Sequence, residues 1–321
     1  MAAQIEVTTR RDGGRGASHA APGSQVTVRL PGEDELARSS IKKGDFIESY
    51  EKTEEKLKSS IGRFLKVQDD ERVHDLRTAM RRAQMHVKLL PRSARRDDST
   101  RRFSKDRKRA FKLTAGMRDL DIIRARLLTL PESEERDAAV VRVDGERMGL
   151  VKEARRAVAA LGGDSMPKPG KKEVTARKLR KRFRGQVDEL SGEIGRRLPV
   201  VLEDETKKTE LHLLRMGCKR LRYTLEAAAR QSEKGPPRVM GSLKAWSDAL
   251  GTVHDWDVVG SYLGENGQRA KGLIASVERA REEAYQSFLR RAVEGAGKKA
   301  PPVAAVPKKG GGRRGVGARL S

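Results

Sequence analysis

Two unlike motifs recur in the same order at nearly one spacing, and this internal repeat constrains the fold more than any other feature. His74-Asp-Leu-Arg-Thr-Ala-Met-Arg-Arg82 has a counterpart 138 positions later, His212-Leu-Leu-Arg-Met-Gly-Cys-Lys-Arg220. Arg118-Asp-Leu-Asp-Ile-Ile123 returns 136 positions later as His254-Asp-Trp-Asp-Val-Val259. Such recurrence marks a duplicated unit. The apolar period between residues 45 and 294 is helical almost throughout, with helices expected near 45–67, 72–90, 98–130, 133–161, 172–198, 204–232, 236–263 and 268–294. Pro91, Pro131, Pro199 and Gly235-Pro-Pro punctuate them. Each motif then falls at the same place in its four-helix set, the first on the second helix and the second within the third. The expectation is an all-α chain: one bundle over 45–161, a linker over 162–170 and a second bundle over 171–294. Strand-like alternation is confined to Gln25–Leu30.

Helical geometry assigns the first motif its faces. At about 100° per residue, Arg77, Arg81, Gln84 and Lys88 lie within ~80° of His74 on one side. Leu76, Ala79, Met80, Ala83, Val87 and Leu90 occupy the opposite side. In the second copy, His212, Arg215, Lys219 and Arg222 form the polar face, and Leu214, Gly217, Cys218, Leu221, Leu225 and Ala228 the apolar one. The apolar faces are expected to pack inside the bundles, leaving one row of cations on each. A solvated face usually mixes signs, with a carboxylate one turn from a cation. Here Glu226 appears only at the far end of the second row. A bound anion would offset the repulsion; so would carboxylates on neighbouring helices.

Composition points the same way. Over 321 residues, 70 Lys and Arg face 45 Asp and Glu, a formal charge of +25 at pH 7. A surplus of this size suits a polyanionic partner. Aromatic residues are only 4%, which leaves few platforms for stacking bases. No apolar run approaches a membrane span and no signal segment opens the chain. The single cysteine, Cys218, excludes an internal disulfide framework and a Cys-based zinc site. A soluble, cytoplasmic protein is expected, with residues 1–44 mostly disordered and 295–321 a basic disordered tail. Residues 92–112 carry ten Lys or Arg and residues 168–184 nine. Within the first cluster, Lys112 is a candidate anion contact, as is Lys108, which matches Lys244 at the repeat spacing.

The segments VHDLRTAMRR (73–82), KRLRY (219–223), RDLD (118–121) and HDWD (254–257) together resemble the CHAD domain, the conserved histidine α-helical domain, over about residues 45–292. The resemblance implies a pseudo-twofold pair of four-helix bundles. Between them it implies a basic pore or groove that binds inorganic polyphosphate, and an association with polyphosphate granules. Matching positions carry the phosphate role to His74, Arg77, Arg81, Arg82, His212, Arg215, Lys219, Arg220, Arg222 and Tyr223. The family motif usually continues with Leu-Arg after the arginine pair, whereas Ala83-Gln84 stands here; Lys88, one turn later, is a candidate replacement. Relatives often carry a CYTH triphosphatase domain, for which the first 44 residues are too few, so a stand-alone binder without cofactor is expected.

Two alternatives remain. His-Asp occurs at His74-Asp75 and His254-Asp255, a dyad that metal-dependent phosphohydrolases use, and Asp119, Asp121, Asp255 and Asp257 are candidate carboxylates. Cations beside the histidines oppose a metal by charge, and the carboxylates suit helix capping or pairing with Arg and His of neighbouring helices. No Walker loop or nucleophile elbow is present. Nucleic acid is the second alternative, since Lys and Arg contacts to its phosphates would look alike in sequence. The tail supports weak binding of that kind. Phe111, Trp246, Trp256 and Cys218 read as core.

Overall fold

The computed structural model describes residues 39–163, 166–168, 174–228, 238–265 and 271–294. The Gln25–Leu30 stretch, the Gly235-Pro-Pro break, the basic tail, residues 1–38 and residues 164–165 and 169–170 of the expected linker fall outside the described residues. The described chain is helical: α1 (Lys43–Lys66), α2 (Asp70–Leu89), a short α3 (Arg92–Arg96), α4 (Asp98–Leu127), α5 (Glu134–Gly163), α6 (Ala176–Glu203), α7 (Lys208–Ala228), α8 (Arg238–Glu265) and α9 (Lys271–Glu294). No helix among the described residues is long and apolar enough to cross a membrane.

The helix starts have local causes. The Asp69 carboxylate caps α2 by accepting from the Arg72 amide at 2.9 Å, and Asp97 caps α4 through the Ser99 amide at 3.0 Å. Thr175 does the same for α6 through Lys178. The expected end at Pro199 is wrong, because α6 runs through it to Glu203. Proline removes a single backbone donor, and the following turn is held from elsewhere. Leu198 and Val201 are buried, and the Tyr285 hydroxyl of α9 donates to the Val201 carbonyl at 2.6 Å. The turn α3, absent from the expectation, fits between Pro91 and the Asp97 cap, with Ala94 buried.

Every residue assigned to the two apolar faces is buried, from Leu76 to Leu90 on α2 and from Leu214 to Ala228 on α7. One contiguous core runs through both sets of helices, from Ile41 to Ala292. Helix α1 packs on α2, α2 on α4, α4 on α5, and α5 back on α1. In the second set α6 packs on α7, α7 on α8, and α8 on α9. Between the sets, α2 faces α7 and α4 faces α8. Second helix meets second and third meets third, as a twofold relation between the halves would require. Gly217 permits the close approach of α6 and α7, since a Cβ there would stand 3.1 Å from Ile194 Cγ1.

A matched pair of clamps secures the third and fourth helix of each set. Arg147 on α5 donates to Asp121 Oδ1 at 2.5 Å and to the Gln68 carbonyl at 2.6 Å. Arg281 on α9 donates to Asp257 Oδ1 at 2.7 Å and to the Glu205 carbonyl at 2.8 Å. Both tie a helix to the turn that joins the first two helices of its set. The second aspartate of each repeated motif is thereby engaged in an ion pair. Removing one partner of a buried pair leaves a desolvated charge, so Arg147→Met is expected to destabilise the fold by about 3 kcal/mol. Arg147→Met with Asp121→Leu should recover most of that loss. Urea unfolding of both variants measures it.

Candidate functional site

Where α2 and α7 meet α4 and α8, they enclose a cavity of about 540 Å³. Its walls are built from repeat-equivalent positions. His74, Arg77 and Arg81 of α2 stand opposite His212, Arg215 and Lys219 of α7, each pair separated by 138 positions. Helices α4 and α8 add Ala115 and Gly251, Arg118 and His254, Asp119 and Asp255, and Ile122 and Val258, each pair separated by 136. The two cation rows expected on separate bundles thus face one space.

The cations are held in place without being neutralised. Arg77, on the polar face of α2, is only 6% exposed, because α4 covers it. Its Nη1 donates to the Phe111 carbonyl at 2.7 Å and to Thr114 Oγ1 at 3.2 Å. Its guanidinium lies 4.1 Å from the centre of the Phe111 ring, and that of Arg81 lies 5.2 Å from the same ring. The Nε atoms of Arg77, Arg81 and Arg215 are buried and make no hydrogen bond. Among the described residues, none of these three arginines forms an ion pair, in contrast to Arg147 and Arg281. A buried cationic donor without an acceptor is costly, and an anion would supply one.

Electrostatics within the cavity follow from this crowding. Burial, then Arg215 and Arg81, pull Lys219 down to about 7, so its ammonium is half titrated at neutral pH. Burial lowers Arg77 to about 10, where it still remains charged at neutral pH. His254 falls to about 4 through burial and then Arg215. His74 and His212 are also lowered, first by burial and then by neighbouring cations. The rings of His212 and His254 stand 4.8 Å apart. These histidines are hydrogen-bonding groups at neutral pH until an anion restores their protons. Three carboxylates line the cavity, of which Asp248 is tied to Lys244 at 2.7 Å. Asp255 accepts from Arg126 at 2.9 Å, while Asp119 faces Arg77, Arg118 and Arg215. Among the described residues, no three His, Cys, Asp or Glu side chains converge in an arrangement able to hold a metal ion.

The family model of the CHAD domain matches residues 55–264, a span that contains every residue lining the cavity. The chain belongs to the CHAD domain family. Its fold is similar to the crystal structure of the CHAD domain from the plant Ricinus communis, with a TM-score of 0.54 and 16% sequence identity. That likeness covers 82% of this chain and 94% of the plant one. No curated protein matches the sequence.

Within this CHAD domain, the remaining sequence-assigned residues lie outside the cavity. Arg82 and Arg222 both reach Glu226, at 3.2 and 3.7 Å, and stand 5.9 and 4.9 Å from the ring centre of Tyr223, which is buried beside Arg81. Arg220 donates to both carboxylate oxygens of Glu193 at 2.8 Å. Lys88 lies further along α2, and Lys108 and Lys112 are exposed on α4 away from the cavity walls. Lys244, the repeat partner of Lys108, is tied to Asp248 at 2.7 Å. Among the other lining residues, Arg118 and Arg126 were given no role from sequence, whereas Phe111 was read as core and Asp119, His254 and Asp255 as candidates for metal-dependent chemistry or ion pairing. A signal existed for Arg118 and Asp119, which occupy the repeat positions of His254 and Asp255. Phe111 is a floor under guanidinium groups and only partly core.

The depressed Lys219 has a measurable consequence for the empty protein. Its unfolded form binds a proton up to a pH near 10.5, while its folded form releases it near 7. The unfolded chain therefore holds more protons in that window, and stability rises with pH across it. Lys219→Met is expected to raise the melting temperature at pH 7 and to flatten its rise between pH 7 and 10. Thermal unfolding at several pH values checks both.

Proposed function

We propose that this CHAD domain binds inorganic polyphosphate, with the polymer running through the cavity between the α2/α7 and α4/α8 pairs. The observation that carries the reading is a cavity whose arginines keep buried, unpaired Nε donors on both sides. A phosphate oxygen accepts from a guanidinium fork with well-matched geometry, and a linear polyanion offers such oxygens to both rows at once. The aromatic rings near the site support phosphate over bases. Phe111, Trp256 and Tyr223 lie under the guanidinium groups of Arg77, Arg126 and Arg222, at 4.1, 5.6 and 4.9 Å, so stacking faces are already taken. A space of about 540 Å³ also suits a single chain of phosphates better than a duplex.

The reading is one of binding without turnover. Asp121, Asp255 and Asp257 are occupied by Arg147, Arg126 and Arg281, and Asp119 sits among arginines. Association with polyphosphate granules would follow from the same affinity. Six cavity cations, Arg77, Arg81, Arg118, Arg126, Arg215 and Lys219, give an expected log–log slope of affinity against salt of roughly −4 to −5, from about 0.7–0.9 per contact. Arg81→Gln with Arg215→Gln should cut affinity at least tenfold and make the slope shallower by about two such contacts. Titration with long-chain polyphosphate over a salt series measures both. Unchanged affinity in that variant would move the site elsewhere. Incubation with polyphosphate or tripolyphosphate and Mg²⁺ should release no orthophosphate; release abolished by His254→Ala would establish hydrolysis instead.

A further inference from the structure

The cation row of α2 does not stop at the cavity. Lys88 lies seven residues beyond Arg81, two turns on and about 10 Å along the same face. At the repeat-equivalent position α7 carries Glu226, and there the row ends in a salt bridge: Arg82 reaches across from α2 to Glu226 at 3.2 Å. Repeat equivalence maps that contact onto Arg220 and Lys88, two cations where the other end has a cation and an anion. Arg220 turns instead to Glu193 at 2.8 Å. The two ends of the α2/α7 crossing are therefore unlike.

More cations converge on the Lys88 end. Arg182, from the N-terminal part of α6, donates through Nη2 to the Lys88 carbonyl at 2.9 Å, and its Nε is buried with no hydrogen bond. Arg95 of α3 is fixed by the Leu90 carbonyl at 3.1 Å, and Arg107 of α4 is buried. Burial lowers the Lys88 ammonium first, then Arg220, with Arg107 and Arg182 adding to the effect. Arg95 is lowered by burial and by Arg182. Two carboxylates belong to the neighbourhood: Glu193, taken by Arg220 and Arg197, and Glu189, which accepts from Gln186 at 3.0 Å. Each is outnumbered by the cations around it.

We infer that Lys88, Arg182, Arg95 and Arg107 form a second phosphate-binding subsite, through which a polyphosphate chain leaves the cavity at the α2 end only. This rests on the proposed function, since the subsite takes the portion of the same polymer that the cavity cannot hold. The opposite end offers a polyanion fewer free cations, because Glu226 engages both Arg82 and Arg222, at 3.2 and 3.7 Å.

Lys88→Glu is the informative variant, because it copies the residue at the equivalent end and places a carboxylate among the surrounding cations, so the fold should persist. Isothermal titration at about 0.15 M salt, where the Debye length is about 8 Å, shortens the reach of the substituted charge toward the cavity. Lys88→Glu is expected to weaken long-chain polyphosphate about tenfold and to make the salt slope shallower by about one contact. Tripolyphosphate, short enough for the cavity alone, should bind within twofold of the wild type. Lys88→Gln should give a smaller loss of the same kind. The reciprocal change, Glu226→Lys, should strengthen long chains and leave tripolyphosphate unaffected. Equal weakening of short and long ligands, or no weakening of either, would overturn the subsite. Failure of the wild-type protein to bind either ligand would overturn the cavity reading itself.

Discussion

Mutual repulsion among cations buried at the seam of two helical sets is the constraint around which this molecule is organised. Burial lowers the proton affinity of Arg77, Arg81, Arg215 and Lys219, and neighbouring cations lower it further, Lys219 far enough to reach about 7. Stability must therefore come from elsewhere. A single apolar core extends through both halves, and the Arg147–Asp121 and Arg281–Asp257 clamps hold the outer helices at matching points. The positions of the cations are set by contacts that do not cancel their charge. Carbonyl and hydroxyl oxygens and an aromatic ring fix Arg77. Fixing a charge with neutral partners leaves it available.

This separates two populations of arginine that sequence presents as one. Arg147, Arg220 and Arg281 meet carboxylates at 2.5 to 2.8 Å and act as fasteners. Arg77, Arg81 and Arg215 retain a buried Nε without an acceptor and, among the described residues, form no ion pair, whereas Arg197 and Arg222 share the first trait but meet Glu210 and Glu226. Natural folds rarely leave buried polar groups unsatisfied, and three at equivalent or neighbouring places of one repeat need a common cause. A ligand that binds only the folded state, and supplies the missing acceptors, offsets the penalty in proportion to its concentration. The apo protein is then less stable than its core alone would make it.

The sequence made the helices, their apolar faces and the two matched rows legible, because each depends on the period of a single helix. It was blind to what lies across from a face. The wheel puts Arg77 on the polar side of α2 and is silent about α4 of the same bundle, whose Phe111 ring lies against it. Arg82 follows Arg81 in the chain, yet the 100° step between them sends one to the cavity and the other to Glu226. Arg118 was within reach, since it holds the repeat position of His254, but the motif drew attention to its aspartates. Pro199 shows the converse: a strong local breaker yields when burial of Leu198 and Val201 and the Tyr285 hydrogen bond secure the turn after it.

The two halves share a helical frame but differ in charge. Across the equivalent positions, Arg118 faces His254, Lys88 faces Glu226 and Lys112 faces Asp248, each with more positive charge in the first half; Gln84 against Arg222 runs the other way. His254, pulled down to about 4, adds no charge at neutral pH. A field built this way is not symmetric even where the helices are. Polyphosphate has chemically equivalent ends and identical repeating units, so an asymmetric field cannot select one orientation of the chain. Under the proposed function, such a field would select where a chain longer than the cavity places its excess, because each added phosphate would gain more attraction toward Lys88 than beside Glu226, which already engages Arg82 and Arg222. Local charge differences between two copies of one motif would then give a non-directional polymer a preferred path.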